Sequence, residues 1–233
     1  MVELIKKEER ALANYSFSDI AAGDSVVVFY GGNFLEEDNI SGNILSNQTF
    51  YSSQIAQKIY SVRIDNNTKL MEKNFDLTFG STNIVNGNVN VNVPISMGDA
   101  QPGAETQTVH MSGQLILYHV DTAGTETSLG EKLTDTLAKE LGDNEQFGHI
   151  IFARFPVTKQ KFKPNEKMRL SVNLWGRNVT DRQKVWGIGN DPQNRNDIGL
   201  STDVPPSTEQ AWKAFDDATD TNLLVQVPFE VDV

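Results

Sequence analysis

Apolar and polar residues alternate almost without error in three segments of the chain. Val89, Val91, Val93, Ile95 and Met97 alternate with Asn88, Asn90, Asn92, Pro94 and Ser96. Met168, Leu170, Val172 and Leu174 alternate with Arg169, Ser171, Asn173 and Trp175. Leu223, Val225, Val227, Phe229, Val231 and Val233 alternate with Leu224, Gln226, Pro228, Glu230 and Asp232. A period of two sends successive side chains to opposite faces of a strand. One face then meets a core and the other meets solvent or a partner, as in antiparallel sheets and unlike buried parallel ones.

Weaker signals fill the rest. Val26–Tyr30 is a continuous β-branched run, predicting a strand covered on both faces and ended by Gly31-Gly32. Residues 33–48 and 97–105 read as loops. Lys58–Ile64 alternates and is closed by Asp65-Asn66-Asn67, and Phe75, Leu77 and Phe79 alternate in a further strand. Asn86-Gly87 is a type I′ dipeptide and predicts a hairpin tip. Thr108–Asp121 and Phe147–Val157 predict strands, and Lys163-Pro164-Asn165-Glu166 a type I turn. Leu129, Leu133, Leu137 and Leu141 recur every four residues behind a Ser128/Glu131 capping box and before Gly142, predicting a helix over 129–141. Thr134 and Thr136 keep open a strand-and-loop alternative. Residues 176–206 are rich in turn formers, with Trp186 and Ile188 embedded, and Ser207/Gln210 opens a short helix carrying Trp212 and Phe215.

These elements define an all-β fold: an antiparallel β-sandwich, jelly-roll-like, with one or two short helices. No internal repeat, βαβ rhythm or domain boundary appears. Residues 1–14 form a charged N-terminal arm and 15–233 a single β-sandwich domain.

Composition narrows the chemistry. The formal net charge is −11, from 31 acidic and 20 basic residues, which argues against direct nucleic-acid binding. Lys159, Lys161, Lys163, Lys167 and Arg169 are the nearest thing to a basic stripe and read as a solvated edge. Without cysteine there is no disulfide and no thiolate metal site. No run approaches the ~18 apolar residues of a membrane helix, so no membrane partner is expected. No secretory leader is visible at Met1–Arg10.

Catalytic signals are thin. The histidines are His110, His119 and His149, and no Gly-x-Ser-x-Gly elbow occurs. His119 and His149 sit in strands and read as structural. No spacing singles out a carboxylate pair, and Asp216, Asp217 and Asp220 read as solvent-facing. The expectation is therefore a non-enzyme without cofactor or metal. The Asp191–Asp197 loop, within Asn190-Asp191-Pro192-Gln193-Asn194-Arg195-Asn196-Asp197, has the oxygen ligands Ca²⁺ favours but lacks an EF-hand glycine and terminal glutamate. Asx-turns account for it without a metal. Trp175, Trp186 and Trp212 suggest, as an alternative function, a carbohydrate- or receptor-binding module.

Three stretches together carry a resemblance: Phe162–Trp175, a turn feeding an alternating strand; Gly189-Asn-Asp-Pro-Gln-Asn-Arg195; and Val227-Pro-Phe-Glu-Val-Asp232. Together they resemble β-sandwich structural proteins of virus particles, particularly from tailed phages and archaeal viruses. The resemblance implies a minor capsid, decoration or tail-connector subunit. Such a subunit would act through protein partners within the particle and homo-oligomeric assembly. It would be made in the host cytoplasm and located in the virion. It implies no catalytic residues.

Overall fold

The structure, a computed structural model, describes residues 12–13, 26–35, 41–52, 56–60, 64–99, 107–142, 145–178, 184–194 and 220–230. Among them the regular structure is all strand: β1 (Leu12–Ala13), β2 (Val26–Leu35), β3 (Ser41–Ser46), β4 (Ala56–Tyr60), β5 (Ile64–Phe79), β6 (Asn83–Asp99), β7 (Gln107–Val120), β8 (Glu126–Leu133), β9 (Leu137–Leu141), β10 (Gln146–Phe162), β11 (Lys167–Asn178), β12 (Lys184–Ile188) and β13 (Leu223–Glu230).

The strands make a two-layer sandwich. In one layer β10, β6, β13, β2 and β3 lie side by side, while β12 and β4 continue the sheet from the far half of β6. In the other, β1, β5, β11 and β7 lie side by side, with β8 and β9 end to end along β7. Every pairing is antiparallel except β1–β5 and the single Ile44–Asp76 pair that joins β3 to β5. That pair stitches the layers on one side. On the other, β10 pairs only with β6, and β8 and β9 only with β7, so the sheet stays open there among the described residues.

The three alternating segments are β6, β11 and β13, and their apolar sets face inward: Val91, Leu170 and Val225 are fully buried. Phe79 on β5 meets Phe162 on β10 at 4.7 Å and Phe229 on β13 at 6.2 Å between ring centres, tying one layer to the other. Burying a ring of this size contributes roughly 2–3 kcal/mol. At the open side Gly130 on β8 faces β10 so closely that a Cβ there would stand 2.4 Å from the Pro156 carbonyl oxygen.

Several expectations are corrected. Residues 129–141 are not a helix but β8, a short link and β9. A four-residue spacing is also a multiple of two, and β7 supplies the hydrogen bonds. Leu129 and Leu141 are buried, whereas Leu133 is 60% exposed. Asn86-Gly87 is not a hairpin tip; β6 runs through it. Gly87 has φ 125° and pairs with Val157, next to a register shift in the β6–β10 ladder, so its left-handed backbone serves a bulge. Gly31-Gly32 does not end its strand. A Cβ on either would stand 2.5–2.6 Å from Leu223 or Phe50, so the glycines admit those side chains. Val26 and Val28 are exposed, so one face of β2 is uncovered among the described residues. Residues 33–48 belong largely to β2 and β3, and Asp65–Asn67 lies within β5. The Lys163–Glu166 turn closes through Glu166 N–H to Lys163 C=O at 3.1 Å, but φ of 68° at Asn165 makes it type II, not type I. The expected helix after Ser207 lies outside the described residues, as do most of the 1–14 arm, Trp212, Asp216 and Asp217.

Candidate functional site

The loop that follows β12 was the leading sequence candidate, and it is a structural knot at one end of the sandwich. Asp191 is fully buried. Its Oδ1 accepts from the backbone N–H of Ser52 and of Gln193, each at 3.3 Å. Its carbonyl accepts from Asn194 N–H at 2.9 Å, and its own N–H donates to Thr221 C=O at 3.1 Å. Asn194, held at φ 56°, accepts from Thr221 N–H through Oδ1 and donates to Asp220 through Nδ2 at 2.8 Å. Ser52 Oγ in turn accepts from Asn33 N–H at 2.9 Å. One carboxylate thus pins β2, residues 51–52 and the approach to β13. This is the Asx-turn chemistry its sequence suggested. Asn196 and Asp197 lie outside the described residues. Among the described residues no group of three or more His, Asp or Glu is arranged to hold a metal.

The imidazoles are spread over three places. His119 on β7 donates from Nε2 to Glu166 Oε2 at 2.8 Å and stands edge-on to Phe162 at 5.0 Å. The same Glu166 oxygen accepts from Lys163 N–H at 2.8 Å. Burial pushes the Glu166 carboxyl up, but the Lys163 and His119 hydrogen bonds outweigh it and hold the group below the ordinary range. His110 accepts from Arg177 at 3.0 Å; a guanidinium only donates, so that ring nitrogen is unprotonated. Burial first, then the Arg177 charge, lowers the His110 pKa. His149 stacks on Phe147, 6.2 Å between ring centres and 12° between planes. The basic cluster is partly consumed by ion pairs: Arg169 forks onto Asp76 at 2.6 and 2.7 Å and reaches Glu126, and Lys159 pairs with Glu230 at 2.6 Å.

A cleft of about 190 Å³ opens at the unpaired side, between the β8–β9 link and β10. Met111, Leu137 and Ile151 contribute apolar walls, and Asp135 and His149 line it too. Its hydroxyl is already committed: Thr134 Oγ1 accepts from Gly113 N–H at 2.9 Å and donates to Asp135 C=O at 3.3 Å. Among the described residues lining the cleft, Thr134 carries the only hydroxyl. Trp186 is fully buried against Gly176, and the Trp175 indole nitrogen is buried too. The two described tryptophans therefore form no exposed stacking platform; Trp212 lies outside the described residues.

What the sequence reading passed over lies on the opposite face of β10. Ile150, Phe152 and Arg154 project outward there, while Ile151, Ala153 and Phe155 project inward. The signal was present: residues 150–153 are apolar at both parities, which a half-solvated strand does not require.

No protein-family profile matches the chain, and no curated protein matches it. Solved structures do. An α-amino acid ester hydrolase aligns with TM-score 0.50 and 10% identity, over 88% of this chain and 36% of its own. A CocE/NonD family hydrolase from Staphylococcus aureus aligns with TM-score 0.43 and 11% identity, over 87% and 36%. An aminopeptidase from a marine sediment Thaumarchaeota archaeon aligns with TM-score 0.49 and 9% identity, over 88% and 37%. The chain spans little more than a third of the length of each. At such identities the likeness is one of fold.

The fold likeness found is to an α-amino acid ester hydrolase, not to a virus-particle protein, and it overturns the virion reading. The capsid, decoration and tail-connector roles, the virion location and the expectation of a non-enzyme are withdrawn with it. The physical reason is visible in the motifs that carried the resemblance. Phe162–Trp175 is a type II turn feeding a central core strand, Gly189–Asn194 belongs to the knot, and Val227 and Phe229 are core positions of β13. Each is explained by packing a sandwich, so none marks a virus particle.

Proposed function

We propose that this chain serves a hydrolase as its β-sandwich unit, set beside a separate catalytic unit. The observation that carries this reading is the unequal coverage: the sandwich accounts for nearly all of this chain but about a third of the ester hydrolase it is similar to. The local chemistry is in keeping with it. The described imidazoles are engaged by Glu166, Arg177 and Phe147, with no hydroxyl among those partners. The sandwich's contribution is rigid placement, through a core continuous across both layers and an Asp191 knot that fixes one end.

The test combines a fluorophosphonate probe, which labels activated serine nucleophiles, with an α-amino acid ester assay. Both are applied to the isolated chain and to complexes recovered on a tag attached to it in its source cells. The expected result is a labelled serine in the recovered material, on a longer form of this chain or on a companion, together with ester hydrolysis. A complex that shows neither labelling nor hydrolysis overturns the reading.

A further inference from the structure

One outer face of the sandwich differs from the rest of the surface. On the layer β10–β6–β13–β2, the outward positions fall into cross-strand rows. Phe152 stands beside Asn92, which stands beside Leu224 and then Tyr30; Arg154 stands beside Asn90, then Gln226 and Val28. Asn90 Nδ2 donates to Gln226 Oε1 at 3.2 Å, so the amides satisfy one another and present little demand for water. Phe152 is 65% exposed and Ile150 41%. In these two rows the only charge is Arg154, which has no ion-pair partner among the described residues. β10 itself contains no acidic residue, in a chain of net charge −11. At the far end of the same layer stands the Lys159–Glu230 pair.

The opposite outer face is built otherwise. There Arg169 is spent on Asp76 and Glu126, Lys69 on Glu72, and Gln114 on Glu131. That face is a charged, self-neutralised surface suited to water.

Four strands about 4.8 Å apart and seven residues at about 3.3 Å give this face roughly 450 Å² in all, within which the exposed Ile150, Phe152 and Val28 flank the Asn90, Asn92 and Gln226 amides. Exposed aromatic and aliphatic side chains grouped in this way are what the centre of a protein interface presents inside its polar rim. Resting on the reading above, we infer that this face docks another protein unit through an apolar surface bearing a carboxylate opposite Arg154. Charge complementarity selects that chemistry. A desolvated guanidinium needs an acidic partner, and the two rows described here hold none. A second copy of the chain, laid face to face, would bring a second Arg154, and the described acid of this layer, Glu230, is already paired with Lys159. Nucleic acid would meet one cation on a strongly acidic molecule.

The test is site-specific photo-cross-linking in the full chain, expressed in its source cells. p-Benzoyl-phenylalanine replaces Phe152 or, on the opposite outer face, Tyr118, and the linked peptides are sequenced by mass spectrometry. The expected result is a link from position 152 to an apolar segment of a different protein with Asp or Glu nearby. Its yield should fall about tenfold in an Arg154→Glu background and recover when that acid is changed to Lys. A hydrolase as the linked protein supports both this inference and the reading it rests on. A linked protein of another class with the same apolar and acidic contact supports the docking face and overturns the hydrolase reading. Links from 118 alone, links from 152 insensitive to Arg154→Glu, or a second copy of this chain as the linked protein would each overturn the docking face.

Discussion

Asp191 and Glu166 show how a single carboxylate governs its surroundings when N–H groups surround it. Replacing Asp191 with Ala leaves the Ser52 and Gln193 amides facing an apolar methyl in a closed site. Each buried donor left unpaired costs about 1–3 kcal/mol. Asp191→Ala should therefore lower the urea midpoint clearly, and Asp191→Asn, which retains an acceptor oxygen, should lower it less. Glu166 makes a pH-dependent contribution. Its carboxyl is held below its ordinary value of about 4.5, so the unfolded chain binds its proton more readily than the folded one. The stability it adds is complete above that value and is lost as pH falls through the lower folded value. Urea midpoints measured from pH 7 downward should fall more steeply in the wild type than in Glu166→Gln, the wild-type advantage shrinking below about pH 4.5.

At the scale of elements, the 129–141 region offers the sharpest test. A helix with leucines every four residues would make Leu129 and Leu133 equivalent. In the strands they differ, one buried and one exposed, because the ladder shifts register at Leu129 and puts it out of phase with Leu133. Leu129→Ala should cost about 2–4 kcal/mol and Leu133→Ala less than about 0.5, read by denaturant unfolding. Gly130→Ala probes the open side: its methyl would meet the Pro156 backbone oxygen, which has no rotamer to escape into, so a loss of about 1–3 kcal/mol is expected. The same elements show what was legible in the sequence. Strict alternation placed β6, β11 and β13 with their buried faces, because period two belongs to strands alone. Leucines at every fourth residue satisfy both periods, and only the partner strand β7 decides between them. Gly31-Gly32 and Asn86-Gly87 have the composition of turns, yet the first admits neighbouring side chains and the second makes a bulge. Those roles depend on residues distant in sequence, Leu223, Phe50 and Val157. The Asp191 turn was readable locally; its bonds to Ser52 and Thr221 were not.

For the molecule as a whole, most strands pair with one far away in sequence, and β2 closes onto β13, the last described strand. Such topology makes loop closure precede reward. Refolding followed by stopped-flow fluorescence of the buried Trp186 should take milliseconds to seconds or longer, with no microsecond phase completing the core. Strand β6 is the hub of that topology. It carries β10 along one edge, and β12 and β13 in succession along the other. The Gly87 bulge fixes where its valines fall, since a shift by one residue would turn that whole set to solvent. The chain is thus very unequal in what length changes it can accept. An added residue between Asn88 and Met97 would have to be absorbed by three neighbours at once. One added at the exposed 121–125 turn, where Gly124 faces open space, would be absorbed by none. Insertion of a reporter loop or opening of new chain ends should succeed at that turn and fail in β6, making the tip between β7 and β8 the natural place to extend or permute this protein.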